Sequence, residues 1–114
     1  MEDKPDMNIY TGVRQGNGDI QVHKNAAPLL PARSLAVANH SPDGFEWGYS
    51  GSGPSQLALG VLLEEFDEDT ALRYYQRFKW EFVANFGASW AIDSIGIRSA
   101  IYRFQTEDAS ADNG

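Results

Sequence analysis

Residues 54–66, "PSQLALGVLLEEF", constrain the fold more than any other segment. Leu57, Val61, Leu62 and Leu63 spread over a broad arc of a helix, and a helix with so little polar surface is mostly buried. Pro54 suits its first turn, where a missing N–H has no intrahelical partner to lose, and Ser52 or Gly53 is placed to cap it. The flanking segments must supply the surfaces that bury it.

One such surface is a sheet. "NIYTGVRQGNGDIQVHK" reads as two extended runs around "QGNGD", where glycine and asparagine supply the positive φ of a tight hairpin. Ile9, Thr11 and Val13 alternate with Tyr10, Gly12 and Arg14, so one set faces the core and the other is exposed or functional. Residues 35–39, "LAVAN", read as a short strand. After the turn signal "SPDG", Phe45, Trp47 and Tyr49 alternate with Glu46 and Gly48 at strand spacing. "SWAID" returns to the sheet near 88–92. Between these, "NAAPLLPARS" holds two prolines and reads as a connector that tucks Leu29 and Leu30 against the body.

Two further helices complete the expectation. Asp67 caps one over 68–86, with Glu68 and Asp69 in the first turn, where the helix dipole favours acid. Ala71, Tyr75, Phe78, Phe82 and Phe86 recur along it at intervals of three or four. Asp93 precedes a final helix near 94–103. The predicted fold is a single compact α+β domain over residues 8–104. Its small antiparallel sheet (the hairpin plus strands near 35–39, 45–49 and 88–92) packs against helices near 54–66, 68–86 and 94–103. Residues 1–7 read as a flexible N-terminus and 105–114 as a disordered acidic tail.

The net charge of −7 is concentrated at the ends, and residues 8–104 carry 10 acids against 8 bases. That balance gives neither the basic face of a nucleic-acid binder nor the distributed acid of a DNA mimic. The absence of cysteine excludes a disulfide scaffold, a thiolate metal site and a cysteine nucleophile. No window approaches the roughly 18 apolar residues of a membrane span, and the start of the chain is charged. The expectation is a soluble cytoplasmic protein that binds neither membrane nor nucleic acid directly.

The block "NHSPDGFEWGYSGSGPSQLALGVLL", with "YTGVR" upstream and "YYQRFKWEFVANF" and "WAID" downstream, resembles a small domain family of unknown function spread through bacteria, archaea, plasmids and phages. The resemblance covers residues 8–104 and implies one α+β domain. The family has no established activity from which catalytic residues carry over. What the resemblance implies for biology is an accessory role on a mobile element, acting on a host defence protein in the host cytoplasm.

The chemistry in the residues is thin. Gly48, Gly51 and Gly53 lead into a helix N-terminus, whose unpaired N–H groups and positive dipole end favour an anion. The spacing matches neither phosphate-loop pattern, no lysine follows, and Pro54 removes one donor. The other reading is a glycine-rich turn in which Ser52 or Ser55 caps the helix. Arg14, His40, Trp47, Tyr49, Gly51, Ser52, Gly53 and Ser55 are the candidate ligand-binding residues, since aromatic rings sandwich bases and arginine clamps phosphate. Aromatics at strand spacing equally suit a core. Trp80, off the apolar line of its helix, is a candidate contact anchor or a cover for the sheet edge. With Glu64, Glu65, Asp67, Glu68 and Asp69 it makes a candidate protein-interaction surface, although such an acidic run also suits a solvated helix junction.

His23 and His40 show no metal-ligand spacing, and the acidic run lacks the spacing of a calcium loop. His40, Ser41 and Asp43 are neighbours in a tight turn and cannot point at one another as a triad. No catalytic residue, metal or cofactor is expected. The sequence therefore leads to a non-catalytic interaction module with a host protein as partner. Its alternative is a binder of a phosphate-containing small molecule, such as a nucleotide, at residues 48–56. No motif speaks to oligomeric state.

Overall fold

The computed structural model describes residues 7–113, and their side chains as far as residue 110. The expectation of a flexible N-terminus falls largely on residues 1–6, outside the described residues. Strands β1 (Ile9–Arg14), β2 (Ile20–Lys24), β3 (Ala27–Pro28) and β4 (Ser89–Asp93) form an antiparallel sheet in the order β3-β2-β1-β4. Helices α1 (Ala32–Val37), α2 (Ser52–Glu65), α3 (Glu68–Glu81) and α4 (Ser94–Asn113) join it, with a 3-10 turn at Val83–Asn85. The fold is α+β, as expected.

The hairpin forms where the alternation places it. Gly18 takes a φ of 94° in the loop between β1 and β2, and the register pairs Tyr10 with Lys24 and Arg14 with Ile20. Tyr10, fully buried, lies on the face that meets the helices, whereas Ile9 and Val13 are exposed on the other. Gly12 lets Trp90 lie flat on β1, because a Cβ there would stand 2.2 Å from the indole nitrogen. A second positive φ, at Asn25, turns β2 into β3, and its side-chain oxygen accepts from the Ile9 N–H.

Helix α2 is buried without a break from Gly53 to Leu63. The sheet, α1, α3 and α4 surround it. Such a helix leaves no water for its polar side chains, so each must find partners within the protein. Gln56 does so completely. Its Oε1 accepts from the backbone N–H groups of His40 and Ser41 at 2.8 and 3.0 Å, and its Nε2 donates to Ser34 Oγ and the Ala38 carbonyl at 2.9 and 3.0 Å. One amide thus ties α1 and the loop after it to the central helix.

Five expectations about the elements and their packing need correction. Residues 35–39 are not a strand: Leu35–Val37 belong to α1, which starts after Pro31, a residue whose ring presets a helical φ. Residues 45–49 are not a strand either. Gly44 and Gly48 bracket them at φ 105° and 87°, and the backbone N–H groups of Glu46 and Gly48 donate to the carbonyls of Gly53 and Val83 instead of a neighbouring strand. Helix α3 stops at Glu81, where Phe82 leaves helical geometry and the Asn85 side chain takes the carbonyls of Trp80 and Glu81, so Phe86 lies beyond it. Helix α4 runs on past 103 to Asn113 through the residues read as a tail. There Glu107 and Asp108 meet Arg73, Arg77 and Arg103 in an ion-pair network between α3 and α4. Of the connector, Leu29 packs on the core but Leu30 is exposed.

Replacing Gln56 by Ala leaves two N–H groups and a carbonyl without partners inside the protein, and the Ser34 hydroxyl with only its bond to the Pro31 carbonyl, at about 1–3 kcal/mol for each unpartnered group that water cannot reach. Urea unfolding of Gln56→Ala should show a loss of about 3 kcal/mol or more. A loss below about 1 kcal/mol would mean that the amide is not the tie between α1 and α2.

Candidate functional site

The opening residues of α2 show what the glycines are for. Gly51 is the cap residue, and Ser52 and Ser55 make no capping bond; Ser55 Oγ instead donates to Gln76 Oε1 on α3 at 3.2 Å. A Cβ on Gly53 would stand 2.5 Å from Glu46 Cβ and 3.2 Å from the Tyr49 hydroxyl, and one on Gly51 would stand 2.7 Å from the Tyr49 ring. The close approach that glycine permits is therefore taken up by the chain's own Glu46 and Tyr49.

The other candidate ligand residues are engaged in the same way. Arg14 grips Glu46 through two bonds, Nη1 to Oε2 at 3.0 Å and Nη2 to Oε1 at 2.5 Å, and its guanidinium lies 4.9 Å from the Trp47 ring centroid. That guanidinium holds the Glu46 carboxyl below the usual carboxylate range. Trp47 is only 2% exposed, meets Trp90 edge-on, and donates its indole N–H to the Gly87 carbonyl at 2.7 Å. Phe45 is buried against Gly60 of α2. His40 Nε2 sits 2.5 Å from the Tyr75 hydroxyl. Of the three aromatics read as a stripe, only Tyr49 is open to solvent, at 52%.

The acidic run divides between the interior and the surface. Glu65 has no exposed side-chain surface, and it accepts from Tyr10 Oη at 2.6 Å, Ser94 Oγ at 2.8 Å, Arg98 Nε at 2.9 Å and Asn8 Nδ2 at 3.0 Å. Burial alone would raise its pKa, but these donors outweigh it and leave the carboxyl below its usual value. Burial, then the bond to Glu65 and its charge, push the Tyr10 phenol well up. Glu64 pairs with Lys24 and Arg33, and Asp67 caps α3 by accepting from the Thr70 N–H. Glu68 and Asp69 lie exposed in the first turn, with no ion-pair partner among the described residues. Trp80 is 59% exposed with Lys79 Nζ over its ring, but twelve residues of helix, roughly 18 Å, separate it from Glu68. The structure does not join them into one surface.

What it does form is a groove of about 760 Å³. One wall is β2, from the hairpin tip at Gly18 and Asp19 to His23; the other is the loop from Ser41 to Glu46 with Tyr49, Ser52 and Gly53; Pro28 to Pro31 run along its side. Ile20, Val22, Leu29, Leu30 and Phe45 make the lining half apolar, and Asp19, Asp43 and Glu46 give it three carboxylates against a single histidine. Sequence reasoning assigned Asp19 and Asp43 to turns and passed over Glu46. Their convergence depends on where the 41–49 loop lands on the sheet, which no local pattern records. A shallower depression of about 370 Å³ lies over Arg14, Trp47 and Phe86. Among the described residues, no group of three or more His, Asp or Glu side chains is placed to hold a metal ion. No helix among them is long and apolar enough to cross a membrane.

The model of a family of unknown function, DUF6166, matches residues 10–103. The chain belongs to that family. No curated protein and no solved structure matches it. The matched span of this DUF6166 member runs from Tyr10 in β1 to the middle of α4, and so takes in the Gln56 cluster, the Glu65 cluster apart from Asn8, and every wall of the groove.

The depressed pKa of Glu65 has a definite sign for stability. Its contribution is complete above the unfolded-state value of about 4.3 and is lost as pH falls through the lower folded-state value. Glu65→Gln should therefore flatten the acid limb of a plot of unfolding free energy against pH. At pH 7 it should cost about 3 kcal/mol, as when one partner of a buried charged pair is removed. An unchanged acid limb would place the titration elsewhere.

Proposed function

We propose that this protein is a non-catalytic interaction module that uses the groove between β2 and the 41–53 loop to hold a basic, partly apolar segment of a partner protein. The observation that carries this reading is the composition of the groove. Carboxylates of Asp19 and Asp43 flank an apolar floor, and neither has an ion-pair partner among the described residues. A cationic side chain entering there meets opposite charge, while its aliphatic stem covers Val22, Leu29 and Phe45.

Several of the groups that chemistry would draw on are already used within the fold. Arg14 is neutralised by Glu46, His40 is held by Tyr75, and Ser55 by Gln76. This arrangement favours binding over turnover, and an acidic lining disfavours a phosphate at the α2 N-terminus. The partner class in this reading is a host protein, in keeping with the resemblance to a family found on plasmids and phages; interference with a host defence protein is the corresponding biological role.

A fluorescent octapeptide of alternating lysine and leucine tests the groove directly. Its binding should weaken with salt, shift the amide signals of Ile20, Val22 and Tyr49, and fall about ten-fold or more in an Asp19→Lys, Asp43→Lys double variant. Equal binding of a glutamate–leucine peptide, or signal shifts confined to the Trp80 region, would remove the groove as the site. ATP at millimolar concentration should leave the melting temperature unchanged. A rise of several degrees that Gly53→Val abolishes would instead establish the anion reading.

A further inference from the structure

The opposite edge of the sheet carries a separate inference. Arg14 N–H donates to the Ala88 carbonyl and Ser94 N–H to the Asn8 carbonyl, which fixes the phase of the β1–β4 ladder. Residues 88, 90, 92 and 94 turn their backbone groups toward β1, so those of Ser89, Ala91 and Asp93 point outward from the last strand of the sheet. Beyond β1, β4 packs on α4, the helix that follows it directly, and through Trp90 on Trp47 and Phe86.

Open edges are usually blunted by lysine, proline, a bulge or a covering element. β4, "SWAID", carries no lysine or proline, its one charged side chain, Asp93, is held back by the Gly96 N–H, and it pairs with β1 without a break in register. Ser89 and Ala91 are small and exposed, which leaves the row of outward groups sterically open. The residues just behind that row, Ile9 and Val13, expose apolar side chains on the outer face of the sheet, and Ile95 does so immediately after it.

We propose that two copies of this chain pair antiparallel through β4 about a two-fold axis at Ala91, making one continuous sheet. The register is self-complementary. Centred on Ala91, it sets Ala91 against its counterpart and Ser89 against Asp93 of the other copy, so both backbone groups of Ala91, the Ser89 carbonyl and the Asp93 N–H find partners, while the Asp93 carbonyl stays with the first turn of α4. No like charges face each other directly, and a carboxylate meets a hydroxyl. The groove lies along β2 and β3, at the far edge, so pairing leaves both grooves open.

The test is mass as a function of concentration, by sedimentation equilibrium from about 10 µM to about 1 mM, with amide hydrogen exchange at both ends of the range. The expected result is a mass rising from 12.6 kDa toward twice that value, with the Ala91 amide gaining protection as it does. Ala91→Pro removes an N–H that points away from β1, so the ladder to β1 keeps its bonds while the edge loses its donor. The variant should stay monomeric with an unchanged circular dichroism spectrum. Ala91→Lys, which sets like charges across the axis, should weaken the dimer about ten-fold or more and serves where the proline variant does not fold. A monomer throughout the range overturns the proposal. So does a dimer insensitive to Ala91→Lys, or one whose new protection lies at Ile20 and Val22 instead of β4.

Discussion

Burial of α2 is the constraint on which the rest of the molecule depends. An almost wholly apolar helix, enclosed from Gly53 to Leu63, runs through the hydrophobic core and sets a strict condition on the polar atoms it carries inside. Gln56, near its start, meets that condition with four hydrogen bonds to α1 and the loop beyond it. Glu65, at its end, meets it with four donors drawn from the segment before β1, from β1 and from α4. These two side chains lock the two ends of the helix to opposite parts of the chain. Leucine in their places would bury as much surface but would leave the docking of α1 and of the chain ends unspecified.

The same economy of polar groups shapes the surface available for binding. Glycines at 51 and 53 admit Glu46 and Tyr49 onto the start of α2, and Glu46 in turn holds Arg14 over Trp47. An arginine, an aromatic ring and a glycine-rich helix start are the ingredients of a phosphate site, yet here they complete one another. The excess charge that remains is carboxylate, carried by Asp19 and Asp43 on either side of the groove. Electrostatics and shape thus point the groove toward cations with aliphatic stems.

The elements legible in the sequence were those whose pattern is local. The β1–β2 alternation, the cap at Asp67, the apolar stripe of α3 and the burial of α2 all follow from spacing and from the chemistry of single residues. Periodicity misled where a second arrangement shares it. Phe45, Trp47 and Tyr49 have strand spacing, but positive φ at Gly44 and Gly48 throws the segment into a loop that buries the first two and exposes the third. The end of the chain misled for a different reason. Its polar composition carries no apolar stripe, and the helix beyond residue 103 is supported by ion pairs to arginines about 30 positions earlier.

By itself the sequence determined the fold class, the central place of α2 and the hairpin, because hydrophobic periodicity and turn chemistry act over a few residues and survive without tertiary context. Only the tertiary structure decided which polar residues are structural and which are free. Glu65 and Asp43 are alike as letters in an acidic chain; one is enclosed by four donors and the other lines an open groove. That difference comes from contacts between residues tens of positions apart, and a carboxylate's role is set by the groups that surround it.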